Sequence, residues 1–251
     1  MNRSYSSLFA LSIGDAYGEP FENRGLCGHT FDFDSLPKEV TGKITDDSIM
    51  AALAYLVTTE SGMDIETLKK SYKKWAETDG AIHNIGIQTE DALLNGKLRK
   101  DGQGNGALMR TVPYALKLYE FGFSKEEIYD FIKMENAITH PNEEVSKLSF
   151  LFFNIALDGN LKPLYDPFFE DVVGKFEKGY TAWMYHSAFI VVETIKRKFD
   201  FINSLRYIVS QGGDTDTNCA IFGAIYGANR YPEIDFYLDI EEIKSKYLVD
   251  K

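Results

Sequence analysis

At 251 residues, 44% hydrophobic and 26% charged, the chain has enough apolar material for a substantial globular core. A formal charge of −11 at pH 7, with only short basic clusters, argues against sequence-independent nucleic-acid binding, which needs grouped Lys and Arg. No run approaches the roughly 18 uninterrupted apolar residues of a membrane span. Two cysteines, Cys27 and Cys219, make no disulfide framework, so a reducing cytoplasm is the expected compartment.

Taken in chain order, helical periodicity dominates. The opening stretch lacks a signal-peptide core, because Ser12 and then Gly14 and Asp15 interrupt its apolar residues. Candidate helices cover Ser4–Ala16, Asp46–Thr59, Ile65–Glu77, Ile87–Asn95, Leu108–Phe121 and Lys125–Ala137. They continue over Glu143–Leu157, Pro167–Glu177, Met184–Arg197, Phe201–Val209 and Thr217–Gly227. Asp64 with Thr67 marks one helix start, Ser124 with Glu127 makes a capping box, and Pro141-Asn142 ends one helix and opens the next. Between the first two helices, Gly25–Ile44 reads as a long, partly extended loop. Thr30–Phe33 and Tyr207–Val209 are β-prone but short, and neither belongs to an alternating series of strands and helices. With no repeat, linker or low-complexity tract, residues 1–251 are expected to form one mostly helical domain. Lys69, Lys70, Lys73 and Lys74, and likewise Lys196-Arg197-Lys198, read as solvated helix faces.

Two acidic clusters interrupt this plain reading. Thr45-Asp46-Asp47-Ser48 and Gly212-Gly213-Asp214-Thr215-Asp216-Thr217 each lead into an apolar helix. Either alone would serve as a helix cap, yet a cap needs one acceptor oxygen. Neighbouring carboxylates repel unless a cation lies between them. If the fold brings the clusters together, four carboxylates and two threonine hydroxyls form a hard oxygen site suited to Mg²⁺, Mn²⁺ or Ca²⁺. Gly212 and Gly213 would let the backbone approach closely just before the second cluster.

Other features are less specific. Gly104-Asn105-Gly106, entering the helix at Leu108, is either a plain turn or a phosphate cradle. Glu22 is either a surface carboxylate or an acid near a site, and His140 is either a helix-end residue or a pocket residue. His29, His83 and His186 show no zinc-ligand spacing.

In order, GDAYGEPFE, TDDS, NIG, GNGALMR, THP and GGDTDTNCAIFGAIYGA resemble the ADP-ribosylglycohydrolase family, across residues 14–228. The resemblance implies an all-α, compact multi-helix orthogonal bundle with a dinuclear Mg²⁺ or Mn²⁺ centre in a central cleft. It implies Thr45, Asp46 and Asp47 as one ligand set and Asp214, Asp216 and Thr217 as the other, with Asp216 bridging. Glu22, Asp46, Asp47 and Asp216 become the expected catalytic carboxylates, Glu22 gating the site. Asn84, Gly86, Gly104, Asn105, Gly106, His140, Gly212 and Gly213 become the expected substrate-binding residues.

The implied reaction is hydrolysis at C1″ of an ADP-ribosyl group on a protein or small molecule. The expected protein is a monomer away from membranes. Ser48 replaces a more usual Thr and keeps the hydroxyl. Asn84 stands where many members carry Asp, which puts arginine-linked specificity in question. A dehalogenase-like phosphatase using Asp214 as nucleophile is disfavoured, since only residues 217–251 follow Asp214-Thr215-Asp216. The alternative is a family member that binds ADP-ribose, or serves a structural role, without turnover.

Overall fold

The computed structural model describes residues 2–22, 31–159 and 182–249. It is all-α: among the described residues are eleven α-helices and one two-stranded hairpin. The helices are α1 (Arg3–Gly18), α2 (Asp46–Val57), α3 (Ile65–Asp79), α4 (Ile87–Leu93), α5 (Leu108–Glu120) and α6 (Lys125–Asn136). They continue with α7 (Glu143–Asp158), α8 (Met184–Arg197), α9 (Phe201–Ser210), α10 (Thr215–Gly227) and α11 (Ile240–Tyr247).

The organising contact is between α1 and α10, which run antiparallel with their backbones touching. Ser6 faces Gly227, Ala10 faces Gly223, Gly14 faces Cys219, and Gly18 faces Thr215 and Asp216. Each step is four residues along both helices, so two rows of small side chains nest into each other. A Cβ at Gly14 would collide with the Cys219 carbonyl, and one at Gly223 with the Ala10 carbonyl. Both helices are buried nearly all round, as expected for central helices with little amphipathic character. Around them α2, α5, α7, α8 and α9 contribute one continuous hydrophobic cluster, including Met50, Leu53, Val112, Phe152, Val191 and Leu205. The α1–α10 packing therefore fixes the C-terminal end of α1, with Asp15, against the N-terminal end of α10, with Asp216.

Local signals explain most boundaries. The Ser124 hydroxyl accepts from the Glu127 amide at 3.2 Å, and the Glu127 carboxylate accepts from the Ser124 amide at 2.8 Å, completing the capping box. Asp64 caps α3 by accepting from the Thr67 amide at 3.0 Å, and Asn142 caps α7 through the Glu144 amide at 2.9 Å. Lys69, Lys70, Lys73 and Lys74 lie on the solvated face of α3, while Leu68, Tyr72 and Trp75 face inward. The basic end of α8 is likewise exposed.

The helix expected over Phe201–Val209 is α9, and the β-prone residues 207–209 complete it: Leu205, Ile208 and Val209 turn inward at helical spacing after an Asp200 cap. The β-prone residues 31–33 form no strand, and a single 3₁₀ turn spans Phe33–Ser35. Other expected bounds need correction. The second helix stops at Val57, because Thr58–Thr59 pairs with Gly62–Met63 across a tight turn of Glu60 and Ser61, with Gly62 at φ 104°. The sequence reading also omitted α11, and α10 begins at Thr215 rather than Thr217, so Asp216 and Thr217 lie inside its first turn. The expected helix at Pro167–Glu177 and residues Cys27 and His29 lie outside the described residues.

Candidate active site

The two acidic clusters converge. The N-terminal ends of α2 and α10 meet beneath a cleft of about 820 Å³ whose walls include the starts of α4 and α5. Helix N-termini carry partial positive charge, so this junction favours anions. Neither cluster serves as its own cap: Thr45 and Asp214 occupy the N-cap positions of α2 and α10 without a side-chain capping bond.

Capping of α2 comes instead from Asp15 on α1, which sequence reasoning passed over. Asp15 Oδ2 accepts from the Thr45 amide at 2.8 Å, the Ser48 amide at 3.1 Å and the Ser48 hydroxyl. Its Oδ1 accepts from Thr45 Oγ1 at 2.8 Å. The serine that replaces threonine thus keeps a defined task, since its hydroxyl holds Asp15. The legible signal was an acid set between Gly14 and Gly18 in a small-residue helix. Its partner four-step row in α10 was legible too, but the pairing of the rows was not.

Asp15, Asp47 and Asp216 offer carboxylate oxygens within 4.8 Å of one another, and so do Glu22, Asp214 and Asp216. Asp216 belongs to both groups. Asp47 is fully buried; its Oδ2 accepts from Thr217 Oγ1 at 3.3 Å and lies 3.2 Å from Thr45 Oγ1, whose single proton the shorter Asp15 contact takes. Asp47 Oδ1 is buried and has no hydrogen-bond partner among the described residues. An orphaned carboxylate oxygen at such depth costs kilocalories unless something binds it.

Electrostatics point the same way. Burial, reinforced by neighbouring carboxylates, holds Asp46, Asp47 and Asp216 well above the usual carboxylate range. Burial also pushes Asp15 up to about 6, even though its hydrogen bonds act against the shift. Among the described residues no Lys or Arg forms an ion pair with these aspartates. A row of buried acids without basic partners, one of them with an orphaned oxygen, has the composition of a site for a hard divalent cation.

Most of the other expected site residues line the same cleft. Glu22 sits at its rim and accepts from Asn84 Nδ2 at 3.1 Å. Asn84 holds this pose in the left-handed region, φ 58°. The Gly86 amide, just before α4, donates to Asp46 Oδ2 at 3.4 Å. Gly104, Asn105, Gly106 and His140 form one wall. Within that wall Asn105 turns inward, donating to Asp214 Oδ2 at 2.7 Å and to Ser187 Oγ at 2.9 Å. Its side chain therefore orients an acid of the floor, and the backbone of the turn faces the cleft.

The turn is anchored by backbone bonds to the start of α8: Asn105 N donates to Ala182 O at 3.1 Å, and Met184 N to Gln103 O at 2.9 Å. Gln88 on α4 spans the wall, accepting from Gly104 N at 3.4 Å and donating to Thr139 O at 3.3 Å. Gly212 and Gly213 do not line the cleft. They make the turn into Asp214 at φ 71° and 85°, with Gly213 against His186. Thr45 and Asp47 lie beneath the floor, and the Thr217 hydroxyl links the two clusters.

The comparisons agree with this architecture. The chain is similar to a protein of Acanthamoeba polyphaga mimivirus named as an ADP-ribosyl glycohydrolase, with 23% identity over 92% of this chain and 88% of the viral one. It shares its fold with a solved ADP-ribosylglycohydrolase-related protein complex, with a TM-score of 0.73, 21% identity, and coverage of 98% of this chain and 96% of the other. Residues 1–230 match the sequence profile of the ADP-ribosylglycohydrolases. The chain belongs to the ADP-ribosylglycohydrolase family.

Proposed function

We propose that the protein is a divalent-metal-dependent hydrolase that removes ADP-ribose from a modified acceptor by cleaving the bond at C1″ of the distal ribose. One observation carries the reading: buried carboxylates from sequence-distant clusters meet at a cleft floor and leave Asp47 Oδ1 without a partner among the described residues. The residues fit two Mg²⁺ or Mn²⁺ ions, with Thr45, Asp46 and Asp47 on one side and Asp214, Asp216 and Thr217 on the other. Asp216 offers an oxygen within 4.8 Å of those of Asp15 and Asp47 and, likewise, of those of Glu22 and Asp214. Bound there, such ions supply Lewis-acid polarisation of substrate and water oxygens and neutralise the packed carboxylates.

The chain's own groups do the rest. Glu22, at the rim beside Asp214 and Asp216, is placed to take a proton from an attacking water. The Asn84 amide orients it, and cleft carboxylates stabilise positive charge developing on the ribose. Gly104, Gly106 and His140 offer a wall for the diphosphate, which lets an acidic protein accept an anionic substrate. An Asp in place of Asn84 would face Glu22 with a like charge instead of a donor, so this rim suits a different leaving group.

The test is release of ADP-ribose from ADP-ribosylated arginine, serine and small-molecule conjugates, with Mg²⁺ or Mn²⁺ added. The expected result is chelator-sensitive release from at least one linkage, lost in Asp216→Asn with folding retained. Metal binding with no release from any linkage would favour a module that binds without turnover.

A further inference from the structure

Behind the glycine wall runs a polar chain, Glu135–Arg110–Thr139–His140, in which the first three residues are fully buried and His140 is 2% exposed. Arg110 Nε donates to Glu135 Oε1 at 2.6 Å, and Glu135 also accepts from Tyr72 OH at 2.9 Å. The same guanidinium donates through Nη1 to the Gly106 carbonyl at 2.5 Å and through Nη2 to Thr139 Oγ1 at 2.8 Å. Guanidinium can only donate, so Thr139 Oγ1 accepts there. Its own proton is then directed to His140 Nδ1, 2.8 Å away.

An Nδ1 that accepts leaves the proton of a neutral imidazole on Nε2. Burial, with the Arg110 charge adding, holds His140 well below the usual histidine range, which keeps the ring neutral. Nε2 has no hydrogen-bond partner among the described residues, and the ring lines the cleft. It lies against both glycines: a Cβ at Gly104 would come within 3.1 Å of Nε2, and one at Gly106 within 2.9 Å of Cε1. Side chains at either position would press on the ring.

We propose that Arg110 and Thr139 are positioning residues that fix His140 as its Nε2–H tautomer, and that this single donor receives an acceptor oxygen of the ADP-ribosyl group. Because Arg110 also holds the Gly106 carbonyl, one buried ion pair sets both the imidazole donor and the glycine wall beside it. The choice of ligand rests on the ADP-ribosyl reading above, whereas the tautomer does not.

The experiment uses the full-length chain with nitrogen-15-labelled histidine, and Thr139→Val and Thr139→Ser variants. Long-range proton–nitrogen spectra of the ligand-free protein report the tautomer, and calorimetry with ADP-ribose in Mg²⁺ reports affinity. The expected wild-type spectrum shows His140 protonated at Nε2. Thr139→Val should lose that single tautomer and bind ADP-ribose about tenfold more weakly, as for a lost hydrogen bond to a charged group. Thr139→Ser should restore both. A wild-type ring protonated at Nδ1, or an unchanged tautomer in Thr139→Val, overturns the relay. A changed tautomer with unchanged affinity overturns the substrate-facing donor. Failure of every form to bind ADP-ribose, with the wild-type tautomer as expected, sinks the ADP-ribosyl reading and leaves the relay standing.

Discussion

Asp15→Ala separates a structural anchor from a bystander. The substitution removes the acceptor of four bonds, two from the amides of Thr45 and Ser48 and two from their hydroxyls. The hydroxyls can rotate toward other partners, but the two amides are fixed in the first turn of α2 and buried. An orphaned buried donor costs about 1–3 kcal/mol, so the pair costs roughly 2–6 kcal/mol. Relief of like-charge repulsion from Asp47 and Asp216 offsets part of this, which leaves an expected net loss of about 3–4 kcal/mol. For a chain of this length each kilocalorie lowers Tm by roughly 2–4 °C, giving a fall of about 6–16 °C.

Because Thr45, Asp46 and Asp47 ride on the turn that Asp15 holds, Mn²⁺ affinity should fall as well, by roughly 10- to 100-fold. Urea melts in chelator give the stability, and calorimetric titration with Mn²⁺ gives the affinity. Asp15→Asn, which keeps one acceptor oxygen, should fall between wild type and Asp15→Ala on both scales. Wild-type stability in Asp15→Ala would refute the capping argument. Lost stability with wild-type Mn²⁺ affinity would refute the claim that Asp15 sets the ligand geometry.

Three further predictions use other parts of the fold. Gly223→Ala drives a Cβ into the Ala10 carbonyl on a helix that cannot retreat, and should cost about 3 kcal/mol or more. Among the described residues nothing lies within 4 Å of a Cβ at Gly86, where Ala should change a urea midpoint little. For His140, the folded state holds the ring well below 6.5 while the unfolded chain protonates near it. The unfolded state therefore binds more protons just below pH 6.5, and stability falls as pH drops through that window. His140→Gln should flatten this acid limb in urea melts between about pH 6.5 and 5; an unchanged slope would contradict a buried neutral ring.

Several elements could be read directly from local chemistry. Ser124 with Glu127 and Asp64 with Thr67 announced their helices because capping satisfies amides within one turn. The β-prone residues 207–209 still read as the end of a helix over Phe201–Val209, because Leu205, Ile208 and Val209 recur at helical spacing. The Thr58–Met63 hairpin was missed because each strand is two residues long, too short to show alternation.

The sequence by itself determined that this chain is helical, that it carries two closely spaced carboxylate pairs suited to holding a cation, and that its ordered motifs are those of one family. All of these follow from composition, spacing and charge within a few residues. Only the tertiary structure decided that Asp15 holds Thr45 and Ser48, that Asn105 orients Asp214, and that Arg110 reaches Thr139 beside His140. Each of those contacts joins side chains far apart in the chain, and their partners are chosen by the four-residue nesting of α1 on α10 and the helices packed around it. Residue spacing encodes what a helix end offers; which helix end it meets is decided by the shape of the packed core.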